Sequence, residues 1–406
     1  MNFKKIMASL AAGVMALSMA GTNVFAAQNY TPVNGDNTHG FAKYLIVDET
    51  AKIPAIEFDF TIAPGTAQAA SNGQMAVLAG VGTPTIIGSN GTTTNNEGKA
   101  IFNEGETKST TAETGMTLDT GKAFAKREMK FGFATVAFPE PGVYRYVVTE
   151  TSAGQQAVSY DTQAATAGAK VRYLDVYVVD NAGALEVSAY ILHETDAAVP
   201  AGTDMGSAYA GDAVADKSTG FVNEYDTSDI EFGKEVTGNQ GSKDKYFAVS
   251  VAIGNAAHSA TYEVDIAGAE ATSGSNSATI AANAGQTNVT SITTDATGAA
   301  TQTFYLSDGQ YIRVKGLPKD ATYNVTENAE DYKSTATIAT TVAQYGGVAH
   351  TDAVQGTIAS ADIFTGYVNT RNGVIPTGVA TAAAGALGLV ALGAIGLASK
   401  RRKEED

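Results

Sequence analysis

Tyr146-Val147-Val148-Thr149-Glu150 and Tyr323-Asn324-Val325-Thr326-Glu327 are two copies of one stretch, Tyr-x-Val-Thr-Glu, and their reading decides the fold. Side chains alternate faces along a β-strand, so each Tyr, Val and Glu share one face. Two apolar residues then mark that face as the inner one and carry a glutamate inward with them. Alternating runs at 144–150, 171–179, 246–253, 304–314 and 323–327 surround these copies, separated by Gly-, Asn- and Asp-rich turns, and no amphipathic helix stands out. The pattern predicts an all-β chain of β-sandwich modules. Two stretches rich in Ala, Gly, Ser, Thr and Asn, 65–121 and 254–300, interrupt it and read as inserted loops or weakly hydrophobic strands.

Further echoes make the chain a tandem repeat. Phe41-Ala42-Lys43 returns as Phe232-Gly233-Lys234, and Phe221-Val222-Asn223 returns as Tyr367-Val368-Asn369. The order Lys, Glu, Asn thus occurs twice, and a boundary near Asp226 divides the body into modules 27–226 and 227–373. Lys43, Lys234, Asn223 and Asn369 each share a strand face with an aromatic or apolar residue, so all six polar residues are predicted to point into the core. An unpaired charge there is costly. One chemistry removes it: a lysine amine made neutral by burial attacks the asparagine side-chain carbonyl, a protonated glutamic acid polarises that carbonyl and shuttles protons, and ammonia leaves. Glu150 and Glu327 would act once each on their own chain, so no turnover enzyme is expected.

Composition narrows the alternatives. The 406 residues contain no Cys and no Trp, which excludes disulfides, Cys-bound metal and cysteine catalysis. Four isolated histidines provide no metal-ligand spacing, so neither metal nor cofactor is expected. A net charge of −16 argues against nucleic acid as a partner.

The ends read as addresses. Residues 1–26 have a basic start, an apolar run and small residues before Ala27, the pattern of a secretory signal peptide. Near the C-terminus, Ile375-Pro376-Thr377-Gly378 follows Val374 and precedes an uncharged segment, 379–399, long enough for one transmembrane helix; Lys400, Arg401, Arg402 and Lys403 open a short charged tail, 400–406.

The motif, span and basic tail at 374–406 resemble the cell-wall sorting signal of Gram-positive surface proteins. The four-residue form is similar to the Val-Pro-Thr-Gly signal of streptococcal backbone pilins, and the Lys, Glu, Asn triplets resemble those of the immunoglobulin-like, CnaB-related isopeptide-linkage domains of that family. The resemblance implies bonds from Lys43 to Asn223 with Glu150, and from Lys234 to Asn369 with Glu327. It also implies cleavage by a pilin-type sortase between Thr377 and Gly378, with the Thr377 acyl group passed to a lysine of an identical subunit. Lys217, in Asp216-Lys217-Ser218-Thr219-Gly220, is the expected linking residue and is expected in an exposed polar turn; Lys170, Lys52 and Lys122 are the alternatives. The implied setting is a pilus on the cell surface, with accessory pilins and peptidoglycan as further partners and the membrane as a station before sorting. The rival reading is a wall-anchored adhesin that binds a host ligand through the inserted stretches.

Overall fold

The computed structural model describes residues 39–374, apart from 71–73, 114–115, 152–154, 165–167, 182, 197–216, 269–287 and 337–350. Residues 1–26, 375–378, 379–399 and 400–406, read above as signal peptide, sorting motif, membrane span and tail, lie outside that set.

The described residues form strands and no helix. The first half holds β1 (Gly40–Asp48), β2 (Ile56–Pro64), β3 (Leu78–Ala79), β4 (Thr85–Ser89), β5 (Thr94–Asn95), β6 (Lys99–Phe102), β7 (Lys122–Gly132), β8 (Gly142–Glu150), β9 (Val158–Ser159), β10 (Val171–Asn181), β11 (Ala184–His193) and β12 (Gly220–Tyr225). The second holds β13 (Thr227–Thr237), β14 (Phe247–Gly254), β15 (Thr261–Gly268), β16 (Ser291–Thr293), β17 (Ala300–Leu306), β18 (Gln310–Pro318), β19 (Thr322–Glu327), β20 (Lys333–Ala336), β21 (Gln355–Thr357) and β22 (Ile363–Thr370).

Strand β14 shows how sequence becomes layer: Phe247, Val249, Val251 and Ile253 are buried while the residues between them are half-buried. Strand β1 is buried on both faces. Phe41, Leu45 and Val47 enter the main core, and Ala42, Tyr44 and Ile46 pack with Met116, Phe124 and Val222 in a smaller one. In the second half two sheets, β16-β15-β18-β13-β22-β20 and β17-β14-β19-β21, share a single core, which makes a sandwich. In the first half the corresponding layers are joined through β6 and β4, so one path of strands runs from β11 to β9. The stretch 65–121 therefore contributes the short strands β3 to β6, of which β6 and β4 close the side of the module. The stretch 254–300 likewise contains β15 and β16.

The run 304–314 is not one strand. It breaks between β17 and β18, where Gly309 adopts φ +79° and donates its N–H to the Lys234 carbonyl at 2.8 Å. Only Asp226 separates β12 from β13. Around that junction Thr227 Oγ1 donates to Asp48 Oδ2 at 2.6 Å, and Thr261 N donates to Glu104 Oε1 at 2.8 Å.

Both halves build the same four-strand order, β7-β1-β12-β9 and β18-β13-β22-β20, with the central pair parallel. Phe41 anchors the first, its ring 5.1 Å from Phe60, 5.5 Å from Phe131 and 5.6 Å from Phe221. Phe41→Ala should lower the stability of this half by about 3–5 kcal/mol, read as an earlier urea midpoint for the first half with that of the second unchanged.

Candidate functional site

The parallel central pair of each half sets the site. In the first, Leu45 lies opposite Asn223; in the second, Val236 lies opposite Asn369. Each asparagine therefore sits beside the residue two places after the lysine, and side chains two apart share a face. A glycine permits the approach. A Cβ at Gly220 would fall 1.8 Å from the Ala42 carbonyl oxygen, and one at Gly366 would fall 2.6 Å from that of Gly233. Gly220 also has φ +150°. Both glycines open a shared Gly-aromatic-Val-Asn stretch, a part of the repeat that sequence reasoning missed.

Glutamate arrives from the facing layer at the end of β8 or β19. Lys43 Nζ lies 3.1 Å from Glu150 Oε1 and 3.4 Å from Oε2, with both side chains fully buried. Asn223 Nδ2 donates to the same Oε1 at 2.8 Å, so Glu150 bridges the other two. In the second half Lys234 Nζ lies 2.6 Å from Glu327 Oε1, both side chains again fully buried. Ser334 Oγ donates to Glu327 Oε2 at 3.1 Å, and Asn369 is buried close by in β22. All six residues are inside.

An aromatic floor, also missed in the sequence, completes each pocket. The Lys43 amine stands 4.4 Å from the centre of the Phe58 ring, and the Lys234 amine 4.5 Å from that of Phe247. These rings are equivalent: Phe60 pairs with Glu150 and Val249 with Glu327, and each ring lies two residues earlier in its strand. Burial pushes the Lys43 amine down to about 8 from 10.5, against the opposing pull of Glu150. The same cause, opposed by Glu327, puts Lys234 at about 8. An amine that burial makes easier to deprotonate, a carboxyl group and an amide in one enclosed pocket have the makings of amide exchange.

In one respect the first pocket departs from the expected chemistry. Glu150 meets the nitrogen of the Asn223 amide, not its carbonyl oxygen; that oxygen accepts from the backbone N–H of Asp161 at 2.9 Å. Asp161 and its partner Arg172 were also absent from the sequence reading, although Arg172 shares a strand face with Leu174, Val176 and Val178, the pattern that singled out Lys43.

Lys217 is not in an exposed turn. It is half-buried in an isolated bridge to His193, the last residue of β11, and burial lowers its amine to about 8. Among the alternatives, Lys122 is held 2.8 Å from both Asp48 and Glu224, and the Lys170 amine stands 3.5 Å from the centre of the Tyr160 ring.

The chain is all-β and repeated, with a lysine, a glutamate and an asparagine enclosed in each half. Its resemblance to pilins extends over nearly its whole length. The chain is 26% identical over 391 residues to a pilin of Streptococcus pyogenes serotype M1, covering 95% of both sequences. Residues 228–371 match a domain of unknown function, DUF7601. Among solved structures, the major pilin of S. pyogenes aligns with a TM-score of 0.44 at 22% identity, covering 82% of this chain and 99% of that one. The T3.2 major pilin of the same species gives 0.42 at 18% identity, covering 82% and 98%.

The lowered lysines have a consequence for stability in a chain carrying Asn223→Ala and Asn369→Ala. An unfolded lysine keeps its proton up to about 10.5 whereas the folded pockets release theirs near 8, so the unfolded chain binds more protons between these values. Stability should rise with pH across that window, measured as the urea midpoint, and adding Lys43→Met should remove the share due to the first pocket.

Proposed function

We propose that the chain is the structural subunit of a covalently polymerised cell-surface pilus, stabilised by intramolecular Lys43–Asn223 and Lys234–Asn369 isopeptide bonds formed with Glu150 and Glu327. One observation carries this reading: both halves bury a lysine and an asparagine in the same register of the equivalent parallel strand pair, with a buried glutamate side chain against the lysine. A single buried Lys–Glu pair has an ordinary meaning as a compensated charge. Two pairs, each set beside an asparagine by a glycine that brings the strands together, answer to a chemical requirement. The immunoglobulin-like, CnaB-related assignment of both modules belongs to this proposal.

A bond between the first and last strands of a module closes a loop of well over a hundred residues. By the loop-entropy argument used for disulfides, that is worth about 5 kcal/mol. In the second module it also keeps the central pair of strands from parting under tension.

Polymerisation follows the sorting chemistry: a pilin-type sortase cleaves after Thr377 and the amine of Lys217 on the next subunit resolves the acyl-enzyme. A lysine lowered to about 8 by burial presents more neutral amine near neutral pH than an exposed one, which favours Lys217 over Lys122, whose amine, despite burial, Asp48 and Glu224 hold above its usual range. Accessory pilins and peptidoglycan are the remaining partners in this proposal.

Intact mass measures the internal bonds. The mature body should weigh less than its sequence by two ammonia molecules, about 17 Da each by this addition–elimination. Glu150→Ala and Glu327→Ala should each restore one increment; a body at its full sequence mass would end the isopeptide reading. Polymerisation is measured separately, because Lys217→Ala should abolish the high-mass ladder in cell-wall extracts, and an undiminished ladder would move the linkage to another lysine.

A further inference from the structure

The Asn223 amide is held from two sides by groups that leave it a single orientation. Its Nδ2 donates to Glu150 Oε1 at 2.8 Å, and its Oδ1 accepts from the backbone N–H of Asp161 at 2.9 Å. A backbone N–H only donates, so the oxygen has to face Asp161 and the nitrogen Glu150. The prospective leaving nitrogen thus rests on the carboxylate, and the carbonyl oxygen rests on a fixed dipole.

We propose that the Asp161 backbone N–H stabilises the oxyanion during bond formation in the first module, and that Arg172 is the positioning residue that holds this donor in place. The inference rests on the isopeptide reading above. Lys43 Nζ attacks Asn223 Cγ and forms the new C–N bond, while the carbonyl π pair moves onto Oδ1, where the Asp161 N–H meets it. Glu150 takes a proton from Nζ and delivers one to Nδ2. The Cγ–Nδ2 bond then breaks, ammonia leaves and the carbonyl reforms, with no oxidant or other reactant required.

The donor is built into the fold. Asp161 is buried at a left-handed φ of 44°, a conformation that aspartate tolerates better than most residues. Its Oδ1 accepts from Val222 N at 3.3 Å, and the next residue, Thr162, donates its N–H to the Val222 carbonyl at 2.8 Å. Asp161 Oδ2 lies 2.5 Å from Arg172 Nη2. Arg172 is itself 1% exposed; its Nε donates to Ser218 Oγ at 2.8 Å, and its guanidinium carbon stands 4.7 Å from the centre of the Phe221 ring. Arginine therefore clamps the loop that carries the donor to the strand that carries the acceptor amide. A donor held before the reaction begins costs no reorganisation when charge develops.

Cell-free synthesis of the mature body, sampled by intact mass and cross-linked peptide mapping, gives the rate of each bond, with the second module as an internal clock. Replacing the Asp161 peptide amide by an ester, which deletes the N–H and keeps every side chain, should slow the first bond about a hundredfold. Arg172→Met and Asp161→Asn should slow it at least tenfold or so, and Arg172→Lys should recover part of the loss. A folded ester variant that closes its first bond at the unmodified rate would overturn the proposal, as would unchanged rates in both side-chain variants. An unmodified body that loses no ammonia would instead reject the isopeptide reading, which keeps the two failures apart.

Discussion

A fully enclosed lysine amine is the constraint around which each half of this protein is organised. Lys43 and Lys234 are completely enclosed, and an ammonium ion in that position is tolerated only with a partner of opposite charge held at contact distance. Everything near them serves this need. The last strand runs parallel to the first, a connection that requires the chain to cross the sandwich, and glycine lets it lie close. The facing layer ends in a glutamate at the matching height, and a phenylalanine ring receives the amine from below. If any of these is shifted by one residue, every side chain on that strand turns to the opposite face.

Much of this was legible in the sequence because it occurs twice. Tyr-x-Val-Thr-Glu states its own face, and the structure brings Lys43, Glu150 and Asn223 together, and Lys234 with Glu327. What stayed hidden depends on which strand lies beside which. Phe58 sits in an ordinary alternating run, and only the pairing of Phe60 with Glu150 reveals that its ring lies under Lys43. Asp161 is in a loop, where no periodicity reports burial. The turn at Gly309 was hidden for another reason: apolar residues on both sides of Asp308-Gly309 make two strands read as one.

Buried charges are not confined to the triplets. The structure holds more. Arg145 and Asp175 face one another across β8 and β10 through two 2.8 Å contacts, and His193 Nε2 lies 3.2 Å from the same carboxylate. With Arg172 and Asp161, these give the first half a polar interior on both sides of its core. Charge-assisted pairs of this kind add less to net stability than to the uniqueness of packing, since each partner is satisfied in one arrangement only. The second half has a counterpart in Glu231, fully buried, whose Oε2 lies 2.7 Å from Arg313 Nη2.

The single-residue junction at Asp226 settles how a pull would travel. A chain held at Lys217 and drawn from beyond Val374 transmits force along β12, through Asp226, into β13, and across a Lys234–Asn369 bond to β22. Lys43 lies outside that route, so a Lys43–Asn223 bond closes no loop within it and carries none of the tension. The two cross-links would then have different duties. In a polymer joined that way the second would be a link in series, and the first a clasp that keeps a laterally attached module folded beside a strand under strain.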